Sequence, residues 1–460
     1  MNSKDAFDRI FNPRSVAILG ASQDNTKFSY YLLRSLLTGG FEGPIYLVNP
    51  KVEEISGFQC YPSVKDVPEK VDLAVIVLPV SAVVRALSDC AEKGVSGAII
   101  ITAGFKESED EAGEELQKEI AGIADAAGIK IIGPNTFGMF NTHANLNACF
   151  TPYFINAAKG PISIVTQSGG ACHFLMPWLV TENVGLSKVL SLGNRANTDY
   201  PELIEYLLDD PQTKAIAMYM EGVDDPRPLL EVGRKAIGKK PLVVYKVGKG
   251  EAVRNAALSH TGSLAGRYEL YEAAFDQAGI ITTDSLTELL DVTKALALQS
   301  PPRGNRVAIT STVAGPVLMA TDICESSGLC ITRFTEKTQK KLNELIPPIV
   351  ARTNPIDWAN NIEIIETVLQ DDNVDMLVSL YVYAISYSLF QLPSDDLIAL
   401  SKKYGKPIIV GANAPSNMWQ FGIADLERSG IPVYPMPDRA AWAAVALARY
   451  GEITRENKIG

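Results

Sequence analysis

The chain has 460 residues, 47% of them apolar and 21% charged, and a net charge of −11. That acidity excludes the basic face of a nucleic-acid binder, and the longest apolar stretches, 73–80 and 440–448, fall far short of the roughly 20 residues that span a bilayer. The opening Met-Asn-Ser-Lys-Asp-Ala-Phe-Asp has no signal-peptide core, the six cysteines form no CxxC pair, and three histidines give a zinc site little material, so a cytoplasmic protein with reduced, buried thiols and no bound metal is expected.

The length corresponds to about three domains. One pattern recurs along the chain: a short β-branched run ends in small residues and an amphipathic segment follows. Between 1 and 150 the runs are 15–20, 45–50, 72–79, 97–104 and 130–135. Between 151 and 300 they are 162–169, 188–193, 215–222, 242–248 and 280–284. Between 301 and 460 they are 306–312, 329–335, 375–383, 407–413 and 431–435. Continuous apolar strands alternating with helices form parallel sheets covered on both faces. The fold class is therefore α/β, with three doubly wound parallel-sheet domains at 1–150, 151–300 and 301–460. The turn-rich stretches 151–161 and 300–305 separate them. The polar tail after Tyr450 is expected to fray.

Ligands of such folds sit beyond the carboxyl ends of the strands. The first strand runs into Gly20-Ala21-Ser22, read as a turn that opens a helix and offers N–H groups to a phosphate, or equally as an ordinary Rossmann-like turn. The next ends in Asn49-Pro50-Lys51, with a cation where an NAD site has an acidic residue, which favours a phosphorylated nucleotide. Strand ends at Pro79, Gly104-Phe105 and Asn135 line the same crevice. In the second region Gln167-Ser168-Gly169 leads into a helix pattern beginning near Cys172, and serves as a phosphate seat or simply as a helix cap. Glu221 closes a buried apolar strand, where an ionised group is unusual. His260 lies in Ala-Ala-Leu-Ser-His-Thr-Gly-Ser-Leu-Ala-Gly, a run of small and hydroxyl residues suited to a loop whose imidazole accepts a phosphoryl group. Gly262 and Ser263 join it as candidate phosphate contacts, and Glu221 is the candidate partner for its second ring nitrogen. In the third region, 311–316 and 353–357 read as structural turns.

Together these segments resemble the α subunit of the ADP-forming acyl-CoA synthetases, relatives of succinyl-CoA synthetase. The resemblance covers essentially the whole chain and rests on 15–22, 46–51, 102–107, 132–135, 167–169, 191–194 and, most specifically, 259–266. It implies a Rossmann-like CoA-binding first domain, and second and third domains of succinyl-CoA synthetase-like, flavodoxin-like type. It implies a reversible ligase reaction through an acyl phosphate and a phosphohistidine at His260, with Glu221 orienting the imidazole and Gln167, Ser168 and Gly169 holding the phosphoryl group. Gly20, Ala21, Ser22, Asn49, Lys51, Pro79, Gly104, Phe105 and Asn135 would serve CoA. The nucleotide, ATP or ADP with Mg2+, belongs by the same resemblance to a separate ATP-grasp β subunit in an α2β2 assembly, and the remaining substrate is a small carboxylic acid. Departures from the family pattern fall at 23–29, at Arg195-Ala196-Asn197, at Thr136-Phe137 and at Val313-Ala314-Gly315. A non-catalytic CoA-binding or acyl-CoA-sensing protein and an NAD-dependent dehydrogenase are the competing readings.

Overall fold

The computed structural model describes residues 3–108, 110–250, 268–359, 361–382, 392–413 and 420–457. They form two compact units, Met1–Leu286 and Thr287–Gly460.

The first unit holds two sheets. It begins with α1 (Ser3–Phe11), β1 (Val16–Leu19), α2 (Phe28–Gly39), β2 (Ile45–Val48), β3 (Glu54–Ile55) and β4 (Phe58–Tyr61). It continues through β5 (Leu73–Ile76), α3 (Val80–Lys93), β6 (Gly97–Ile100), α4 (Glu111–Ala127) and β7 (Lys130–Ile132). The strand order is β3-β4-β2-β1-β5-β6-β7, parallel except for the β3–β4 hairpin. Both faces of β1 are buried, Val16 and Ile18 in one apolar cluster and Ala17 and Leu19 in the other, as the two-residue period of a strand requires. Each fully buried Val, Leu or Ile contributes about 1.5–3 kcal/mol relative to exposure, so a sheet covered twice is held from both sides.

The second sheet is built from β8 (Gly138–Asn141), β9 (Leu146–Cys149), β10 (Lys159–Thr166), α5 (Gly169–Thr181), β11 (Leu186–Ser191), α6 (Tyr200–Asp209), β12 (Ala215–Met220), α7 (Arg227–Ala236), β13 (Leu242–Lys246), α8 (Tyr268–Gln277) and β14 (Ile281–Thr283). Its order is β14-β13-β12-β10-β11-β8-β9, with β8 antiparallel to both β11 and β9. The hairpin β8–β9 thus follows the first sheet in sequence and completes the second. One apolar cluster runs through both sheets, from Phe7, Ile18 and Val75 to Met139, Leu190, Tyr200 and Ile216, which makes this a single unit. The run read as 188–193 begins two residues earlier, so Lys188 does not open its strand. It lies fully buried inside β11, its ammonium 2.6 Å from Asp210 and 3.2 Å from Gln212.

The second unit comprises α9 (Leu286–Leu298), β15 (Arg306–Ser311), α10 (Ala314–Ser326), β16 (Cys330–Ile331), α11 (Glu336–Leu345), α12 (Ile362–Gln370), β17 (Met376–Val382), α13 (Ser394–Tyr404), β18 (Ile408–Asn413), α14 (Gln420–Arg428), β19 (Val433–Tyr434) and α15 (Pro437–Glu456). Its five strands are all parallel, in the order β16-β15-β17-β18-β19. The turn at 353–357 is structural: the Asn354 carboxamide accepts from Ile309 N–H at 3.0 Å and donates to Val307 O at 2.8 Å and Thr332 O at 3.0 Å. Two expectations need correction. The chain past Tyr450 continues α15 as far as Glu456 instead of fraying. Five cysteines are buried, but Cys330 on the edge strand β16 is exposed. Among the described residues, no helix is long and apolar enough to cross a membrane.

Candidate functional site

On the first sheet the chain reverses at Gly20, whose φ is +91° and whose added Cβ would stand 2.3 Å from the Val77 carbonyl oxygen. Only glycine meets both conditions. Gly20 N–H donates to Val48 O at 3.0 Å. Asn49 then ties the two strand ends together: its Nδ2 donates to Ala21 O at 2.8 Å, and its Oδ1 accepts from Lys51 N–H at 2.9 Å. Lys51 is left exposed. The turn does not open a helix, because α2 starts only at Phe28. In between, Ser22 Oγ accepts from Asp24 N–H at 3.1 Å, and Asp24 Oδ1 accepts from Thr26 N–H at 2.9 Å and from its hydroxyl at 2.7 Å.

Along the same sheet edge, Pro79 occupies the N-cap position of α3. Gly104 and Phe105 N–H donate to the Glu107 carboxylate at 2.6 and 3.2 Å, and the Phe105 ring is wholly buried in the core. Asn135, with φ at 56°, donates its N–H to Thr102 O at 2.9 Å.

The second sheet faces these loops with the ends of β10, β11 and β12. Ser168 caps α5, its Oγ accepting from Ala171 N–H at 3.2 Å, so the helix begins at Gly169 rather than near Cys172. Such a start leaves N–H groups and the positive end of the helix dipole directed at the strand ends. Gln167 is 3% exposed. Its Oε1 accepts from Glu221 N–H at 2.9 Å and from Gly222 N–H at 3.1 Å, so its carboxamide fixes the turn that carries Glu221.

These loops enclose a cavity of about 580 Å³. It brings together Asn135, Gln167, Ser168, Gly169 and Glu221, along with Val77, Leu78, Thr102 and Ala103 from the first sheet. Gly20, Ala21, Ser22, Asn49, Lys51, Pro79, Gly104 and Phe105 are not among its lining residues. His260, Gly262 and Ser263 lie outside the described residues. Among the described residues that line it, Glu221 carries the single formal charge.

Sequence reasoning gave no role at the site to several of its residues. Phe137, Phe150 and His173 form an aromatic wall of the cavity, with the His173 and Phe137 ring centroids 4.6 Å apart. His173 was findable, since it lies three and four residues beyond Gly170 and Gly169 on one helix and so shares their face. Burial pulls its pKa down, and its Nε2 is 2.9 Å from Thr151 Oγ1. Asn194 also lines the cavity, its Nδ2 bonded to Glu107 and, at 3.0 Å, to Gln117. Lys246 ends β13 beside the Glu221 turn, and burial pulls its ammonium down to about 8 against the opposing charge of Glu221. A lysine closing an otherwise apolar strand was its sequence signal. The departures at 195–197 have structural partners: Arg195 pairs with Asp199 at 2.8 Å, and Asn197 bonds Ile131 N–H at 2.8 Å and Ile129 O at 2.9 Å.

Two largely parallel sheets bring their strand ends together over one cavity, with a capped helix start and the apolar residues Val77 and Leu78 among its lining, the place where an α/β protein holds its ligand. A family described as "CoA binding domain" matches residues 14–142, and one described as "Succinyl-CoA ligase like flavodoxin domain" matches 159–296. The chain is 39% identical over 457 residues to the acetate–CoA ligase [ADP-forming] II subunit alpha of Pyrococcus furiosus, covering 96% of this chain and 97% of that one. It is 37% identical over 463 residues to the acetate–CoA ligase [ADP-forming] I of Archaeoglobus fulgidus, spanning 98% of this chain but 65% of that longer protein. Among solved structures, the dinucleotide forming acetyl-coenzyme A synthetase 1 of Candidatus Korarchaeum cryptofilum, in complex with phosphate and ADP, superposes with a TM-score of 0.89 at 33% identity, covering 98% of each chain. The chain belongs to the family of ADP-forming acyl-CoA ligase α subunits.

Proposed function

We propose that this chain catalyses, with a partner subunit, the reversible conversion of a carboxylic acid, CoA and ATP into acyl-CoA, ADP and phosphate, by way of an acyl phosphate and a phosphohistidine at His260. The observation that carries the proposal is the shared cavity, in which strand ends of the CoA-domain sheet face Gln167, Ser168, Gly169 and Glu221. CoA fits this arrangement with its pantetheine arm passing Val77–Leu78 and Thr102–Ala103. Its nucleotide end would lie toward Gly20–Ser22, Asn49 and Lys51. The division into 1–150 for CoA, 151–300 for phosphoryl transfer and 301–460 as a further ligase domain belongs to the same proposal.

From acyl-CoA, a phosphate oxygen attacks the thioester carbonyl and the C–S bond breaks, releasing CoA as the thiol after protonation. An imidazole nitrogen of His260 then bonds to phosphorus as the P–O bond to the acyl group breaks, and the carboxylate departs with that electron pair. Glu221 holds the other ring nitrogen and so fixes the tautomer. The N–H groups at the start of α5 stabilise the charge on the phosphoryl oxygens. An oxygen of the ADP β-phosphate finally takes the phosphoryl group. In this reading ADP and Mg2+ sit on an ATP-grasp β subunit in a cytoplasmic α2β2 enzyme.

The test is labelling of the reconstituted pair with γ-labelled ATP. The expected product is an acid-labile, base-stable phosphoprotein that His260→Ala abolishes and Glu221→Gln slows. Equal labelling of His260→Ala and wild type refutes the assignment.

A further inference from the structure

Lys246 is the last residue of the strand Leu-Val-Val-Tyr-Lys and is 3% exposed. Its register partner on β12 is Met220, the residue before Glu221, and Val247 N–H donates to Met220 O at 3.0 Å. The two strand ends are therefore locked side by side. Buried lysines ordinarily hold a carboxylate, as Lys188 holds Asp210 at 2.6 Å. Among the described residues, the Lys246 ammonium instead meets the Val247 carbonyl oxygen at 2.5 Å and lies 4.8 Å from the Tyr271 ring centroid. An ammonium has three N–H donors, and a carbonyl with a ring face leaves it under-used. Tyr271 is itself fixed to the Glu221 turn, because its hydroxyl accepts from Val223 N–H at 3.4 Å. The turn, the ring and the cation thus form one assembly next to Glu221.

We infer that Lys246 is a positioning residue for phosphoryl transfer, its buried ammonium offsetting the negative charge that a phosphorylated imidazole adds beside the Glu221 carboxylate. The inference rests on the phosphohistidine reading of His260. When the imidazole nitrogen bonds to phosphorus and the carboxylate leaves, the site gains the charge of the phosphoryl oxygens while Glu221 stays in place. A cation kept away from water acts more strongly on that charge than a solvated one. Among the described residues, the titratable groups around Lys246 are Glu221, which follows β12, and Tyr271 from α8. Farther along the strand ends, Lys249 is already paired with Asp284. Burial places the Lys246 titration at about 8, so the cation is present at neutral pH and lost on the alkaline side.

The experiment measures the rate of phosphoenzyme formation from labelled ATP between about pH 6.5 and 9.5 on the full chain reconstituted with its partner subunit, with CoA affinity and thermal unfolding as controls. Wild type is expected to slow above about pH 8. Lys246→Arg keeps its charge throughout and should remain active at the alkaline end. Lys246→Met should label about tenfold or more slowly at neutral pH and lose the alkaline fall, while binding CoA within about twofold of wild type. A Lys246→Met chain that labels at the wild-type rate with the wild-type profile overturns the inference. If Lys246→Met fails to fold, Lys246→Arg decides, and an unshifted alkaline limb overturns it. A wild-type enzyme that takes no label overturns the phosphohistidine reading, and this inference with it.

Discussion

Replacing Gln167 with leucine separates the two jobs that this residue holds. Its Oε1 is the acceptor for the backbone N–H groups of Glu221 and Gly222, the second of them buried. Leucine has a similar reach and no acceptor, so both donors lose their partner. A buried N–H left unsatisfied costs about 1–3 kcal/mol, and the more accessible one less, which sums to about 2–4 kcal/mol. In a unit of this size 1 kcal/mol moves the melting temperature by about 2–4 °C, so the first unit should melt roughly 4–16 °C lower. Gln167→Glu retains an acceptor oxygen and should recover most of that loss. It also adds a negative charge beside the start of α5, and phosphoenzyme formation should fall about tenfold or more. Calorimetry and labelling of the two variants side by side separate the effects. If Gln167→Leu melts within about 1 °C of wild type, or Gln167→Glu is as unstable as Gln167→Leu, the carboxamide does not hold the Glu221 turn.

Three further outcomes are expected. Lys51 is exposed, so Lys51→Ala should leave folding intact, yet weaken CoA binding about tenfold or more in calorimetry. An unchanged Kd refutes the placement of the nucleotide end, and NAD binding without CoA binding refutes the CoA assignment. In the second unit burial raises the pKa of Asp375, but hydrogen bonds from Arg306 N–H, Nε and Nη2 at 3.1, 2.9 and 2.8 Å outweigh it and the net direction is down. The resulting stability is present above the unfolded value of about 3.9 and is lost as pH falls through the lower folded value. Asp375→Asn should therefore flatten the acid side of the urea midpoint against pH, and an unaltered acid limb counts against the pair. Finally, burial pushes the thiols of Cys90, Cys172 and Cys324 up to about 12, whereas Cys330 is exposed. A thiol reagent at neutral pH should find one fast site in the folded chain, removed by Cys330→Ser; two fast sites contradict the burial.

The parallel strands were legible because their signal is local. Val16–Leu19 and Leu73–Ile76 are buried at every position, and an unbroken apolar run ending in a small residue announces that environment. The hairpin at 138–149 was not legible, because its strands contain Asn141 and Asn147, both buried. Asn141 is satisfied by the carbonyl of Phe11, 130 residues away, which no window of sequence reveals. The start of β11 before Lys188 was hidden for the same reason, since the partner that lets this lysine be buried, Asp210, is brought to it by the fold. The run 329–335 shrank to the two residues of β16 because an edge strand has one neighbour to define its extent. At the site, Ser168 and Glu221 stood out as polar residues ending apolar strands. The bonding of Gln167 to the turn after β12 and the aromatic wall around His173 did not, because both depend on which strand ends lie opposite one another.

The placement of β8 and β9 has a consequence for how this protein emerges from the ribosome and for where it can be cut. Residues 138–149 are synthesised before β10 and β11, yet β8 pairs with β11, so the hairpin waits for about forty more residues before its inner edge is covered. A fragment ending near residue 150 would carry that bare edge and lack Leu190, which belongs to the same apolar cluster as Met139, and would be prone to self-association. A fragment ending at Asn135 would keep every strand of the first sheet and omit the hairpin. The first unit in effect stitches its two sheets together, because the border of the second is a piece of chain laid down before the rest of that sheet exists.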